Sequence, residues 1–246
     1  MSLSLSNDAE VLSQLIRSRR SVRDFRPDPI PPAVLEAVLS DAQWAPSWSN
    51  TQPYRVAVAA GAVRDRIAAQ LSANFDAGMA AERAGWWGKL KLLATRKGLP
   101  DGDFSTRFPY PADLQPQRVE TGRGLYNLLD IGRHDLAARD RQMRRNFEFF
   151  GAPTALFLFA HKGLRAFSVL DTGIWLQTLM LSAHAHGLAT CAQGALATWA
   201  GPVRAAFDVP PPYQLICGVS IGYASDHPVN QYNPGRAQTV KLQVRP

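Results

Sequence analysis

"PTALFLFAH" (residues 153–161) is followed after four residues by "AFSVLDTGIWLQTLMLSAHAHG" (166–187). The first run is almost wholly apolar, of strand length and bounded by Pro153. That pattern predicts a strand covered on both faces. The second is the longest helical pattern in the chain, apolar nearly all round, and is expected to be a central helix closed by Gly187. Toward the C-terminus, "QLICGVSIGYA" (214–224) repeats the buried-strand pattern. Toward the N-terminus, "YRVAVAAG" (54–61) reads as another strand, leading into a helix over "AVRDRIAAQLSANF" (62–75). Strands thus alternate with helices around one long apolar helix.

The flanks add helices. "NDAEVLSQLIRSRR" (7–20) carries Val11, Leu12, Leu15 and Ile16 at helical spacing, with Asn7 as the expected cap and Arg19 and Arg20 at its end. In "RPDPIPPAVLEAVLSDAQWAPS" (26–47), Pro31 and Pro32 suit a helix start and Pro46 a stop. Further helices are expected over 118–131 and 134–150. Between them and the first half, "GLPDGDFSTRFPYPADLQPQ" (98–117) is dense in Pro, Gly and Asp and too long for a plain connection, which points to a functional loop or mobile lid. No repeat and no linker interrupts residues 1–246, so one domain is expected, with 98–130 as lid or insertion and 225–246 as an extended arm.

The chain has 246 residues, enough to bury a core without staples. A net charge of +7 and two cysteines, Cys191 and Cys217, frame the function classes. Two cysteines make no disulfide framework, and the start lacks a secretory pattern, so a cytoplasmic setting is expected. No run is long and apolar enough to span a membrane. The positive charge is arginine spread along the chain, without zinc-finger, helix-turn-helix or RNP-like patterns, so neither nucleic acid nor membrane is expected as a partner. His184 and His186 differ by two and lie on different helix faces with no ligand at metal spacing. Neither a phosphate-binding P-loop nor a complete dinucleotide glycine pattern occurs, and no G-x-S-x-G marks a nucleophile.

Three segments carry chemistry. "RSRRSVRDFR" (17–26) sets five guanidiniums and the Ser21 hydroxyl within ten positions, a combination suited to a phosphate. "APSWSNTQPYRV" (45–56) is a turn rich in neutral hydrogen-bonding groups that can meet the polar edge of a flat heterocycle; alone it also reads as a capped helix-to-strand connection. "GLATCAQGALAT" (187–198) offers backbone N–H groups at Gln193-Gly194, and alone also reads as a plain turn. Together they suit a phosphorylated flavin.

These segments, with "CGVSIGYASDHPVNQYNPGR" (217–236), resemble the four signature segments of the FMN-dependent nitroreductase family, in its order and spacing. "RRNFEFFGAP" (144–153) resembles its longer bacterial nitroarene and nitrobenzoate reductase members. The resemblance implies an α+β, three-layer fold with a central mixed, mostly antiparallel sheet, and an intertwined homodimer with FMN in the interface. It implies that Arg19, Arg20, Ser21 and Arg23 bind the phosphate, ribityl chain and pyrimidine side, and that Arg236 completes the phosphate clamp. Pro46, Ser47, Trp48, Asn50 and Gln52 would reach the other subunit's flavin, with Gln193 and Gly194 beside the flavin N5. Family members often carry Glu where Gln193 stands, so a carboxylate is expected to be missing from the reactive face. The implied activity is NAD(P)H-dependent reduction of small aromatic acceptors, nitroaromatics first, by a ping-pong two-electron mechanism with no catalytic side chain. Tyr110 and Tyr126 are candidate pocket residues. Dehalogenation, enone reduction, flavin fragmentation and a non-catalytic flavin-binding module are the alternatives.

Overall fold

The computed structural model describes residues 2–106 and 108–237. Helices α1 (Ser2–Ser18) and α2 (Pro32–Ala42) precede strand β1 (Tyr54–Ala60), and α3 (Gly61–Arg83), α4 (Gly85–Thr95), α5 (Gln115–Leu128) and α6 (Leu136–Arg144) follow it. Then come β2 (Thr154–His161), α7 (Ala166–Ala185), β3 (Ala189–Gln193), the short α8 (Gly201–Arg204) and β4 (Tyr213–Gly222). The four strands pair in the order β1-β2-β4-β3, every pair antiparallel. Among the described residues, the parallel component of the expected mixed sheet is one bridge, Ser21 to Thr190.

Alternation along β2 builds two cores. Leu156 and Leu158 point to one face, where Val38, Ala42, Trp175, Leu179 and Ala183 of α2 and α7 cover them. Phe157 and Phe159 point to the other, against Ile67, Leu71 and Phe75 of α3 with Phe147, Phe149 and Trp199. Residues 154–160 of β2 are all buried, as a strand sandwiched between helical layers must be.

Several expectations need correction. α1 starts before Asn7, which therefore sits inside the helix rather than capping it. α2 ends at Ala42, before Pro46. α3 continues to Arg83, beyond the expected end at Phe75. α5 opens at Gln115, inside the loop assigned to 98–117. The helix expected through Phe150 is α-helical only to Arg144 and continues as a 3₁₀ turn over Arg145–Gly151, which ends where Phe149, Phe150 and Gly151 adopt φ of 56°, 54° and 84°, values a right-handed helix excludes. Arg64 stabilises that turn, donating to the Glu148 carbonyl at 2.7 Å and the Ala152 carbonyl at 3.0 Å. Residues 189–193, read as a turn, form edge strand β3 beside β4. Short apolar-polar strands of this kind are indistinguishable from turns until a partner strand supplies their hydrogen bonds. α7 is buried on one face only: Phe167, Val169 and Leu170 are exposed. Residues 228–231 of the expected C-terminal arm form a short 3₁₀ turn, and 238–246 lie outside the described residues.

Phe157 is fully buried at the centre of β2. Phe157→Ala is expected to lower unfolding free energy by about 3–5 kcal/mol, the usual cost of emptying a core aromatic site. Urea unfolding followed by circular dichroism measures it.

Candidate active site

After α1 the chain runs extended along the sheet edge, with the Val22 N–H donating to the Thr190 carbonyl at 3.0 Å. This places Arg19, half-buried, beside Cys191 of β3 and Arg236 of the tail. Burial, then the neighbouring Arg236 guanidinium, hold the Arg19 pKa below its ordinary value. His184 near the end of α7 joins the cluster, its Nε2 2.7 Å from Ser18 Oγ. Burial, then Arg19 and Arg20, push its pKa below the usual histidine value.

Among the described residues, Arg19, Arg20, Arg23 and Arg236 face no carboxylate partner. Asp24, the one acid within the arginine run, is taken by Arg145 at 2.8 Å and by the Ser225 hydroxyl at 2.5 Å. Asn230 locks the tail onto this strand. Its Oδ1 accepts the Arg23 and Asp24 N–H groups at 2.8 and 3.2 Å, and its Nδ2 donates to the Asp24 and Ser225 carbonyls. A concentration of guanidiniums built this way, with its own acid neutralised elsewhere, is a ready anion site.

The polar turn lies at the opposite end of α7. Asp171, buried to 4% exposure, accepts the Trp48 N–H at 3.0 Å, and the Trp48 ring packs on Phe167 at 4.4 Å. Ser49, Asn50 and Gln52 have φ of 49°, 52° and 47°. Left-handed non-glycine residues cost about 1–2 kcal/mol each. Ser47 Oγ accepting the Gln52 N–H at 2.9 Å and Gln52 Nε2 donating to Asn50 Oδ1 at 3.2 Å hold them there. Pro46, Trp48, Asn50 and Gln52 are exposed. Burial and Asp171 push the Tyr54 phenol above its ordinary value, so it stays neutral beside Trp175.

Gln193 ends β3 and Gly194 opens the 3₁₀ turn after it. A Cβ at Gly194 would meet nothing within 4 Å, so a flat ring can approach this backbone without a side chain in the way. Gln193 is different: its side chain is buried, donating to the Asn146 carbonyl at 3.0 Å and accepting from Ser220 Oγ at 2.5 Å. This side chain braces the 144–151 turn against the sheet, and its neutral amide is turned away from the open space beside Gly194.

That space is a cleft of about 1030 Å³. Tyr110 and Tyr126 both line it, as do Phe147 of the aromatic 147–150 run and Thr198, and so do Phe104 and Phe108, which sequence reading did not single out. Arg118 lies over the Tyr110 ring at 4.8 Å and Arg139 over Tyr126 at 5.1 Å. Asp140, also on the wall, is paired with Arg83. The 98–106 stretch closes the cleft because Gly102 packs on the Ala197 and Thr198 carbonyls, where any Cβ would clash.

The model of the nitroreductase family matches residues 16–223. The chain belongs to the nitroreductase family. It is 37% identical over 219 residues to nitroreductase NfnB of Mycolicibacterium smegmatis, covering 89% of this chain and 85% of that protein. It is 32% identical to 4-nitrobenzoate reductase of Pseudomonas putida, covering 87% and 85% respectively. Among solved structures, the FMN-dependent nitroreductase NfnB from Mycobacterium smegmatis in complex with NADPH superimposes with a TM-score of 0.81 at 35% identity, covering 96% and 99%. In this nitroreductase the arginine strand and the tail meet beside the start of β3, and Gly194 follows its end. The polar turn stands apart from them, and the aromatic cleft opens beside Gly194.

If Arg19 and Arg20 face His184 as described, replacing either by Ala should raise the His184 pKa, since a neighbouring cation opposes the imidazolium. Proton NMR titration of the imidazole reads this directly, and an unmoved midpoint contradicts the cluster.

Proposed function

We propose that this chain is an FMN-dependent NAD(P)H:nitroarene reductase acting as a homodimer. The observation that carries the reading is the cation cluster of Arg19 and Arg236, converged from opposite ends of the chain with no carboxylate among the described residues to answer it. Two guanidiniums are held together at a cost unless an anion joins them, and the FMN phosphate is such an anion. Arg20 and Ser21 flank it, Arg23 would face the pyrimidine edge, and the unobstructed Gly194 backbone would face the ring. Bound FMN would supply the hydride chemistry, which no side chain of this site provides.

Sites would form between two chains. Along α7, Asp171 beneath the polar turn and His184 in the cation cluster are thirteen residues apart, about 20 Å at ~1.5 Å per residue. One chain thus presents its two flavin-binding segments at opposite ends of a helix. An exposed apolar strip, Phe167, Val169 and Leu170, opens the same helix beside the polar turn. Packing α7 against its own copy about a twofold axis covers that strip and brings each turn to the partner's arginines. Pro46, Ser47, Trp48, Asn50 and Gln52 then serve the partner's flavin.

The cleft would hold the nicotinamide and the acceptor in turn. Tyr110, Tyr126, Phe104 and Phe108 offer ring faces to a flat substrate and keep water from it, with the 98–130 segment as lid. Arg118 and Arg139 give the wall its charge and favour electron-poor or anionic nitroarenes. Cys191 and Cys217, both buried free thiols, with pKa values pushed up by burial to about 11 and about 12, fit a reducing cytoplasm.

Arg19→Ala should weaken FMN binding about ten- to a hundredfold, the loss of one charge-assisted bond, and riboflavin binding far less. Equal loss for both flavins refutes the phosphate assignment.

Mixed dimers of Arg19→Ala and Asn50→Ala chains test the shared site. One site takes both lesions and the other takes none, so random mixing of two weakly active variants should restore roughly a quarter of wild-type activity. Activity no higher than the mean of the two variants shows that both residues serve one flavin from one chain.

A further inference from the structure

Helix α4 is the part of the molecule that the flavin site leaves unused. It folds back on α3 through Gly85 (φ 64°), and Gly88 seats it there: a Cβ at Gly88 would lie 2.2 Å from the Ala81 carbonyl oxygen. Its opposite face carries Trp86, Trp87, Leu90 and Leu93, which are 62%, 64%, 54% and 62% exposed. No residue of α4 lines the aromatic cleft.

Charge sorts around this face. At ~100° per residue the four apolar side chains fill a sector of about 120°, with Gly88 diametrically across from it. Lys89 lies about 40° beyond one edge of the sector and Lys91 about 40° beyond the other. Arg96 and Lys97 continue at the helix end. Gly85 to Lys97 holds these four cations and no carboxylate. Apolar side chains flanked on both sides by long cationic ones are what a helix lying in a lipid headgroup layer needs: the rings and leucines enter the acyl boundary, and lysines reach back to the phosphates. No helix among the described residues is long and apolar enough to cross a membrane.

We propose that α4 is a docking surface for an anionic lipid bilayer, holding the protein on the membrane face with Trp86, Trp87, Leu90 and Leu93 inserted. The charge decides between occupants. A second copy packed twofold on this face would oppose Lys89, Lys91, Arg96 and Lys97 to themselves, with no carboxylate on the helix to answer them. An anionic lipid layer answers all four.

The test is co-sedimentation of the full chain with phosphatidylcholine vesicles made with and without phosphatidylglycerol. Binding should need phosphatidylglycerol and fall with salt. It should drop at least about tenfold in the double variant W86S/W87S and by a similar factor in K89Q/K91Q. Trp44→Ser, which removes an 86% exposed tryptophan elsewhere, should bind as the parent does. Nitroarene reduction in solution should be unchanged in W86S/W87S, separating this proposal from the active-site reading. No binding to phosphatidylglycerol vesicles overturns the proposal. Binding that ignores W86S/W87S overturns it too, since charge alone then suffices. A change in the oligomeric mass of W86S/W87S without vesicles assigns the face to a second copy and likewise overturns it.

Discussion

The Asp171 carboxylate, buried to 4% exposure and accepting the Trp48 N–H at 3.0 Å, ties a strained turn to the start of the central helix. The same helix meets the arginine strand at its other end, through His184 and Ser18. α7 is packed on the sheet through Trp175, Leu179 and Ala183, which holds the polar turn and the arginine strand at its two ends. Neither end can shift without disturbing that packing. The geometry of the proposed dimer follows from this separation.

On the other face of the sheet, the cleft depends on a second buried polar contact. Gln193 has its amide between Asn146 and Ser220, joining β3 and β4 to the left-handed turn at Phe149-Phe150. Buried amides that lose a partner are costly, which keeps this bracing intact. It leaves the neighbouring Gly194 backbone bare and sets the aromatic wall opposite. Charge reaches the cleft from α5 and α6 through Arg118 and Arg139, with their guanidiniums spread over tyrosine rings.

Cationic side chains thus occupy four separate settings in this chain, which its overall charge cannot distinguish. At the sheet edge they are concentrated and left unanswered. In the cleft they lie on aromatic rings, and on α4 they border an apolar face. Elsewhere, as at Arg145 with Asp24 or Arg204 with Asp103, they are neutralised by structural acids.

The sequence by itself determined the layered core. Runs such as 153–161 and 214–224 are apolar enough that only burial between helices accommodates them, and the spacing of Val34, Leu35, Val38 and Leu39 permits only a helix. It also marked the arginine run, the polar turn and Gly194, because those residue types serve few purposes so closely grouped. Tertiary structure alone decided the rest. Residues 189–193 became a strand only because β4 supplied hydrogen bonds. The direction of Gln193 was fixed by Asn146 and Ser220, far away in sequence. Whether a carboxylate answers Arg19 depends on where Asp24 finds Arg145, 121 residues on. Local sequence sets backbone preference and apolar period; the pairing of charges and amides is a long-range matter, settled when the chain closes on itself.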